Sequence, residues 1–289
     1  PTEILARQHY ASIMKMREGV PVRVAILTGT TKTKERREIL AALEAGEIDI
    51  LVGTHALIED RVQFSNLGLV IIDEQHRFGV EQRATLQEKG NSPHVLVMSA
   101  TPIPRTLALI IHGDLDVSVI DEYPKGRQAV ETYCVGSALH ERVYNYIKKH
   151  IAEGRQGYIV CPLVEEGEEN TDLIPAEKYF EELKGGTFKG YRLGLLHGKM
   201  KPKDKDAVMR SFAAGEIDLL IATTVIEVGI DVPNSAIMVI ENSERFGLSQ
   251  LHQLRGRVGR GEHQSYCIMF CDARGGIAKE RMDIMTKTN

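Results

Sequence analysis

The chain has 289 residues, of which 43% are hydrophobic and 26% are charged, a composition that fits a globular protein of two ordinary domains and excludes the disordered and fibrous classes. Its formal net charge of −4 argues against a protein that holds nucleic acid by bulk positive charge, so any such contact must be local. No apolar run approaches the roughly 20 residues that span a membrane.

The first part of the chain alternates short apolar runs with helical patterns. Residues 22–27, 48–52, 69–72 and 94–98 are predicted as strands, and residues 36–45 as a helix because Ile39, Leu40 and Leu43 recur at helical spacing. This alternation is typical of an α/β fold in which helices cover a parallel sheet.

The second part of the chain has the same alternation, with strands predicted at residues 156–160, 192–196, 219–222, 236–240 and 265–270. Charge, proline and glycine at residues 121–128 indicate an exposed linker. We therefore predict a first domain at residues 1–122, a linker at 123–130, a second domain at 131–274 and the start of a helical extension at 275–289.

An internal repeat relates the two parts. The stretch AGEID at residues 45–49 recurs at residues 214–218, and the same offset relates Lys32 to Lys201 and Thr54 to Thr223. After one deleted residue, Asp73 falls on Glu241. The repeat predicts two similar domains in tandem. Their chemistry has diverged, because only the first keeps Asp-Glu and only the second has an arginine run, which suits a site between the domains.

Four cysteines, Cys134, Cys161, Cys267 and Cys271, lack C-x-x-C spacing. A disulfide scaffold would be far denser, so we predict buried thiols in a reducing cytoplasm.

Two carboxylates, Asp73 and Glu74, directly follow a buried strand. Ligands of parallel sheets bind at the carboxyl ends of the strands. Asp73 is therefore a candidate for the shell of Mg²⁺ beside a triphosphate, and Glu74 for polarising the attacking water. The plainer alternative is an acidic pair that caps the following helix. Ser99 and Thr101 place two hydroxyls after the next strand, where they could also cap a helix.

The arginine run contains Arg257 and Arg260, three residues apart. This spacing predicts that the two lie one helical turn apart and can face the same phosphate. Gly256 and Gly259 would keep the intervening face small. A basic surface helix is the alternative.

Five segments carry a further signal: PTEILA at residues 1–6, GTHALI at 53–58, DEQHRFG at 73–79, SATPIPRT at 99–106 and QLRGRVGR at 253–260. Together they resemble the motifs of superfamily 2 helicases, and among these the RecG family of bacterial ATP-dependent DNA translocases. The resemblance covers nearly the whole chain. It implies two tandem RecA-like domains with ATP between them and DNA across their tops.

Roles for individual residues follow from the resemblance. It implies that the catalytic residues are Glu74, Arg257 and Arg260, and that ATP is bound by Asp73, Gln253, Gly229 and Asp231, with Asp73 holding Mg²⁺. It implies DNA contacts from Thr2, Thr54, His55, Thr223 and Thr224. The residues implied to couple ATP hydrolysis to DNA contact are His76, Ser99 and Thr101. Contacts to phosphates do not read sequence, which accommodates the acidic charge balance.

The implied activity is that of a double-stranded DNA translocase that remodels stalled forks and branch-migrates Holliday junctions. The resemblance implies no membrane partner and no particular oligomer. The related translocase of transcription-coupled repair is an alternative, although Gln75 favours RecG. An RNA helicase of the DEAD or DEAH type and a non-catalytic DNA-binding module are weaker alternatives.

One departure from the family concerns the phosphate loop. No G-x-x-x-x-G-K-[S/T] stretch occurs in the 289 residues, and in the family this loop would precede Pro1. We expect the first domain to be incomplete at its amino-terminal side and these residues alone not to hydrolyse ATP, because the loop supplies the lysine and backbone amides that hold the phosphates.

Overall fold

A computed structural model describes residues 3–73, 85–86, 89–99, 116–120, 122, 128–162, 176–223, 232–273 and 275–288. The chain divides into two compact units, Pro1–Leu115 and Asp116–Asn289. No helix in the described ranges combines the length and apolar character that a membrane crossing requires.

Parallel strand pairs form the described part of the first unit. Its elements are α1 (Glu3–Met16), β1 (Val24–Leu27), α2 (Thr33–Glu44), β2 (Ile50–Gly53), β3 (Leu69–Ile72) and β4 (His94–Val97). β1 pairs with β2, and β3 pairs with β4. Val70 and Ile72 are buried whereas Leu69 and Ile71 are exposed, because successive side chains of a strand point to opposite faces.

A six-stranded parallel sheet forms the centre of the second unit. Its elements are β5 (Glu131–Val135), α3 (His140–Ala152), β6 (Gln156–Val160), α4 (Ala176–Gly185), β7 (Leu193–Leu196), α5 (Pro202–Ala213), β8 (Leu219–Ala222), β9 (Ser235–Ile240), α6 (Leu248–Arg255), β10 (Tyr266–Phe270) and α7 (Gly276–Lys287). The strand order is β5-β10-β9-β6-β8-β7. Strands β6, β8 and β9 are buried throughout, as expected where hydrophobic clusters pack on both faces.

The internal repeat is confirmed at the level of strand register. β1 pairs with β2 so that Val24 faces Ile50, and β7 pairs with β8 so that Leu193 faces Leu219, which are positions related by the repeat offset. Helices α2 and α5 are related by the same offset. The two halves are therefore copies of one arrangement of strand, helix and strand.

The repeated AGEID stretch forms the same turn in both units. Gly46 and Gly215 have φ of 71° and 75°, a left-handed conformation that glycine adopts without steric cost and that commonly ends helices. The aspartate of each copy then accepts a hydrogen bond from the backbone of an arginine that precedes the neighbouring strand, Asp49 from Arg23 N at 2.8 Å and Asp218 from Arg192 N at 2.9 Å. Local turn chemistry thus explains why this stretch is retained in both copies.

The predicted elements differ from the structure mainly at their ends. The predicted helix at residues 36–45 begins earlier, at Thr33, and the strands are correct to within two residues at either end. The cysteine prediction is partly wrong: all four are free, but only Cys161 and Cys267 are buried, whereas Cys134 is exposed because β5 lies at the edge of the sheet. Most of the predicted linker lies outside the described residues.

Candidate active site

Asp73 lies immediately after β3, at the carboxyl end of a parallel strand pair. Its side chain is 32% exposed, and Oδ2 accepts a hydrogen bond from Nε2 of His9 on α1 at 3.0 Å. A part-exposed carboxylate at this edge is a suitable ligand for a hard cation such as Mg²⁺. Glu74 and His76 lie outside the described residues, so the alternative in which the acids cap a following helix stays untested.

Glu241, the repeat counterpart of Asp73, has different surroundings. Its side chain is only 10% exposed. Oε2 accepts a hydrogen bond from His140 Nε2 at 2.9 Å, and Oε1 accepts one from the Tyr179 hydroxyl at 2.7 Å. The Tyr179 hydroxyl is also hydrogen-bonded to that of Tyr144. Both carboxylate oxygens are therefore occupied by side chains of the same unit, and this acid is built into the fold.

His140 makes this network ionic. Its Nδ1 lies 2.6 Å from the Ser137 carbonyl oxygen while Nε2 contacts Glu241. Both partners are acceptors, an arrangement that suits an imidazole donating through both nitrogens, which is its cationic form. The hydrogen bond to Glu241 raises the pKa of His140, against the opposing effect of burial. Burial raises the pKa of the Tyr179 and Tyr144 hydroxyls, which keeps them as donors.

The arginine run is not one continuous helix. Helix α6 ends at Arg255 and Gly256 caps it, and Gly259 has a φ of 76°. Arg257 and Arg260 therefore lie in the turn after the helix, and the predicted spacing of one helical turn is wrong. Arg260 is exposed and its Nε donates to the Gly256 carbonyl oxygen at 3.0 Å.

Arg255 has a structural role that the sequence reasoning missed. It is 6% exposed, and its Nη1 donates to the Met285 carbonyl oxygen at 2.9 Å and also to the Thr288 carbonyl oxygen. These bonds tie α6 to the carboxyl-terminal end of α7. The sequence did contain a signal for this burial, because Arg255 lies one helical turn after the buried Leu251 and so faces the same side of the helix. Gln253, half-buried on the same helix, and Arg257, half-buried after it, remain the other described polar candidates of this segment.

Two of the candidate DNA-contacting residues, Thr54 and Thr223, lie at the ends of equivalent strands. Thr54 follows β2, is half-buried, and accepts a hydrogen bond from Leu57 N at 3.0 Å through its carbonyl oxygen. Its counterpart Thr223 follows β8 and is 6% exposed, and its Oγ1 has no hydrogen-bond partner within the described structure. His55 and Ser99 are exposed. Thr2, Thr101, Thr224, Gly229 and Asp231 lie outside the described residues.

Two helicase families match the chain, one in each unit. Residues 1–110 match the family described as DEAD/DEAH box helicase, and residues 139–262 match the helicase conserved C-terminal domain. ATP-dependent DNA helicase RecG of Bacillus subtilis is 55% identical over 290 residues, which is all of this chain and 42% of that protein. The RecG of Thermotoga maritima is 50% identical over 99% of this chain and 36% of its own length. The chain belongs to the RecG family of helicases.

Solved structures agree with the RecG assignment. A structure of RecG bound to a three-way DNA junction matches 99% of this chain and 37% of its own, with 48% identity and a TM-score of 0.83. S. cerevisiae Dbp5 bound to RNA and ADP BeF3 is 15% identical with a TM-score of 0.65, which shows a shared fold only. The predicted fold, two tandem RecA-like domains, is confirmed. The chain spans less than half the length of these RecG relatives.

The described residues contain no group of three or more His, Cys, Asp and Glu side chains arranged to hold a metal ion. In a RecG-family chain this is compatible with Asp73 as a single carboxylate ligand, because Mg²⁺ usually keeps several waters and takes one or two carboxylates together with substrate phosphates. The guanidinium groups of Arg257 and Arg260 are suited to phosphate oxygens.

Proposed function

We propose that this chain is the motor of an ATP-dependent helicase that translocates on double-stranded DNA in the cytoplasm, remodels stalled replication forks and branch-migrates junctions. The observation that carries the proposal is the full-chain match to RecG proteins, one of which is bound to a three-way DNA junction. The described site supports it, since a part-exposed acid ends a parallel strand in the first unit. Branched DNA, such as forks and Holliday junctions, is the proposed substrate.

ATP and Mg²⁺ are the proposed cofactors. Mg²⁺-ATP supplies the phosphoryl group whose transfer to water drives movement. Asp73 would hold the metal, Glu74 would orient the water, and Arg257 and Arg260 would offset the phosphate charge. Gln253, Gly229 and Asp231 complete the nucleotide contacts by the motif match.

DNA contacts come from hydroxyl, imidazole and backbone groups rather than a basic surface. Thr54 and His55 after β2, Thr223 after β8, and Thr2 and Thr224 by the motif match contact the phosphates. Such contacts position the protein on DNA without reading its sequence. His76, Ser99 and Thr101 couple nucleotide state to DNA contact.

Strand separation on defined substrates tests the proposal. The full-length helicase carrying this chain should separate a three-way junction with ATP, act more slowly on a linear duplex of equal length, and do neither with a non-hydrolysable ATP analogue. Glu74→Gln should abolish separation while junction binding persists. Equal action on both substrates, or ATP-dependent release of stalled RNA polymerase without junction activity, would favour the transcription-coupled alternative.

The 289 residues alone should not turn over ATP, since no phosphate-loop sequence occurs in them. Steady-state hydrolysis that disappears in Glu74→Gln would instead reveal a second phosphate site within these residues.

A further inference from the structure

We propose that His9 is a positioning residue that orients the Asp73 carboxylate for Mg²⁺. The inference rests on the proposed function, because it concerns the metal site of that reaction. His9 would act through Asp73 and would touch neither the metal nor the nucleotide.

The contact joins two elements that are far apart in sequence. Nε2 of His9 lies 3.0 Å from Oδ2 of Asp73, across 64 residues of chain. α1 packs against β1 and β2, which fixes where the imidazole can reach. A carboxylate oxygen only accepts, so the ring donates through Nε2. Both side chains are partly exposed, at 46% for His9 and 32% for Asp73, so the pair lies at the surface of the unit.

The second unit contains the same construction. By the repeat offset, α1 corresponds to α4 and Tyr10 corresponds to Tyr179. His9 corresponds to the residue just before Tyr179. From α4, the Tyr179 hydroxyl donates to Glu241, the counterpart of Asp73, at 2.7 Å. In both units, therefore, the equivalent helix sends a donor to the acid at the end of the equivalent strand. The two donors stand at adjacent rather than equivalent positions of the helix, so what the units share is a contact from this helix to the strand-end acid.

The two units differ in how exposed the hydrogen-bonded acid is. Tyr179 together with His140 closes over Glu241, which is 10% exposed, whereas Asp73 stays 32% exposed with His9 on Oδ2. Mg²⁺ demands near-ideal octahedral geometry, so a carboxylate whose rotation is restricted by a hydrogen bond is a better ligand than a freely rotating one. Loss of such an outer partner typically weakens metal binding about 10- to 100-fold.

Metal affinity is the direct readout, measured on the full-length helicase with ADP by the electron paramagnetic resonance of Mn²⁺ as the probe. His9→Ala should raise the Mn²⁺ dissociation constant about 10-fold or more. His9→Gln should restore most of the affinity, because its amide nitrogen can replace the Nε2 donor. His94→Ala, which removes an exposed histidine at the amino end of β4, is the matched control and should change nothing.

Turnover measured against Mg²⁺ concentration separates positioning from a general structural defect. His9→Ala should shift the half-saturating Mg²⁺ concentration upwards and recover most of its kcat at high Mg²⁺, whereas a misfolded protein would lose kcat at every concentration. Unchanged Mn²⁺ affinity in His9→Ala, or no recovery in His9→Gln, would overturn the proposal.

Asp73→Asn distinguishes this inference from the proposed function. If Asp73→Asn abolishes turnover while His9→Ala leaves metal affinity unchanged, only the role of His9 is wrong. If Asp73→Asn hydrolyses ATP normally, the proposed function of the site is itself wrong.

Discussion

Asp73 and Glu241 occupy equivalent strand-end positions in different surroundings. Both directly follow a parallel strand, and both accept a hydrogen bond from the equivalent helix. Glu241 is additionally paired with the cationic His140 and shielded from solvent. A buried acid with both oxygens satisfied stabilises its own unit but cannot accept a metal, because removing its partners would leave an uncompensated buried charge.

The pair of His140 and Glu241 makes stability depend on pH. The folded-state pKa of His140 is raised, so the folded state holds its proton more tightly than the unfolded one. The stabilisation is fully present below the unfolded pKa of about 6.5 and is lost as pH rises through the higher folded value. The difference in Tm between the wild-type chain and His140→Gln should shrink as pH rises from about 6 to about 9. A difference independent of pH would contradict the ionic form of the pair.

Tyr179→Phe should lower the free energy of unfolding by about 1–3 kcal/mol, because it removes the donor to a buried carboxylate oxygen. Denaturant unfolding measures the change. Tyr133→Phe is the matched control: Tyr133 also donates to a carboxylate, that of Glu131, but it is exposed, so its loss should stay within about 0.5 kcal/mol. Equal effects of the two substitutions would show that burial of Glu241 does not matter.

Arg260→Ala in the full-length helicase should reduce DNA-stimulated ATP turnover by about 10³-fold or more, the scale associated with an arginine that stabilises the transferring phosphate. Junction affinity should be nearly unchanged, because the proposed partner is the nucleotide. Arg142→Ala, on the exposed side of α3, serves as control. Intact turnover in Arg260→Ala would exclude this role.

At the scale of elements, the backbone turn that contains the arginine run depends on Gly259. Gly259 has a φ of 76°, and an added Cβ would lie 2.6 Å from Val130 Cγ2. Gly256 is right-handed, with φ of −66°, and the nearest atom to an added Cβ is His252 O at 3.3 Å. Gly259→Ala should therefore cost about 2 kcal/mol or more of unfolding free energy, from left-handed strain and overpacking, and Gly256→Ala should cost clearly less. Urea denaturation of both variants tests this, and a reversed order would contradict the described turn.

Strand positions were predictable because each strand is a short apolar run bounded by turn residues, and the repeat supplied an independent check on register. The end of α6 was not predicted. The arginines at residues 255–260 are compatible with a continuing helix, and only the structure shows that the helix ends at Arg255. β5 was missed because it lies at the sheet edge and mixes polar with apolar residues, including the exposed Tyr133 and Cys134.

Candidate site residues were predictable to a different degree. The acid after β3 could be found from its place directly after an apolar run, since that inference needs only local sequence. The partners of the two acids could not, because His9 and Tyr179 are separated from them by 64 and 62 residues and the contacts depend on tertiary packing. Arg255 shows a different limit of the sequence: it lies in a run of candidate site residues, yet it is buried and donates a hydrogen bond that joins α6 to α7.

At the scale of the whole molecule, the two units differ in how their strands are covered. Strands β6, β8 and β9 are buried at every position, whereas β3 and β4 expose Leu69, Ile71 and Leu96. Amide hydrogen exchange should therefore be slowest in the central strands of the second unit and faster in β1 to β4, because buried sheet opens only with global unfolding. Equal protection in the two units of the 289-residue chain would contradict this expectation.

ATP turnover of the full-length helicase, measured with and without a three-way DNA junction in the wild type and in Asp73→Asn, tests the central claim most directly. The junction should stimulate the wild type, and Asp73→Asn should lose more of the stimulated rate than the about 10- to 100-fold that follows loss of an outer partner of a metal ligand, while still binding the junction. Turnover that ignores the junction, or that survives in Asp73→Asn, would contradict the assignment of a DNA-driven ATPase to this site.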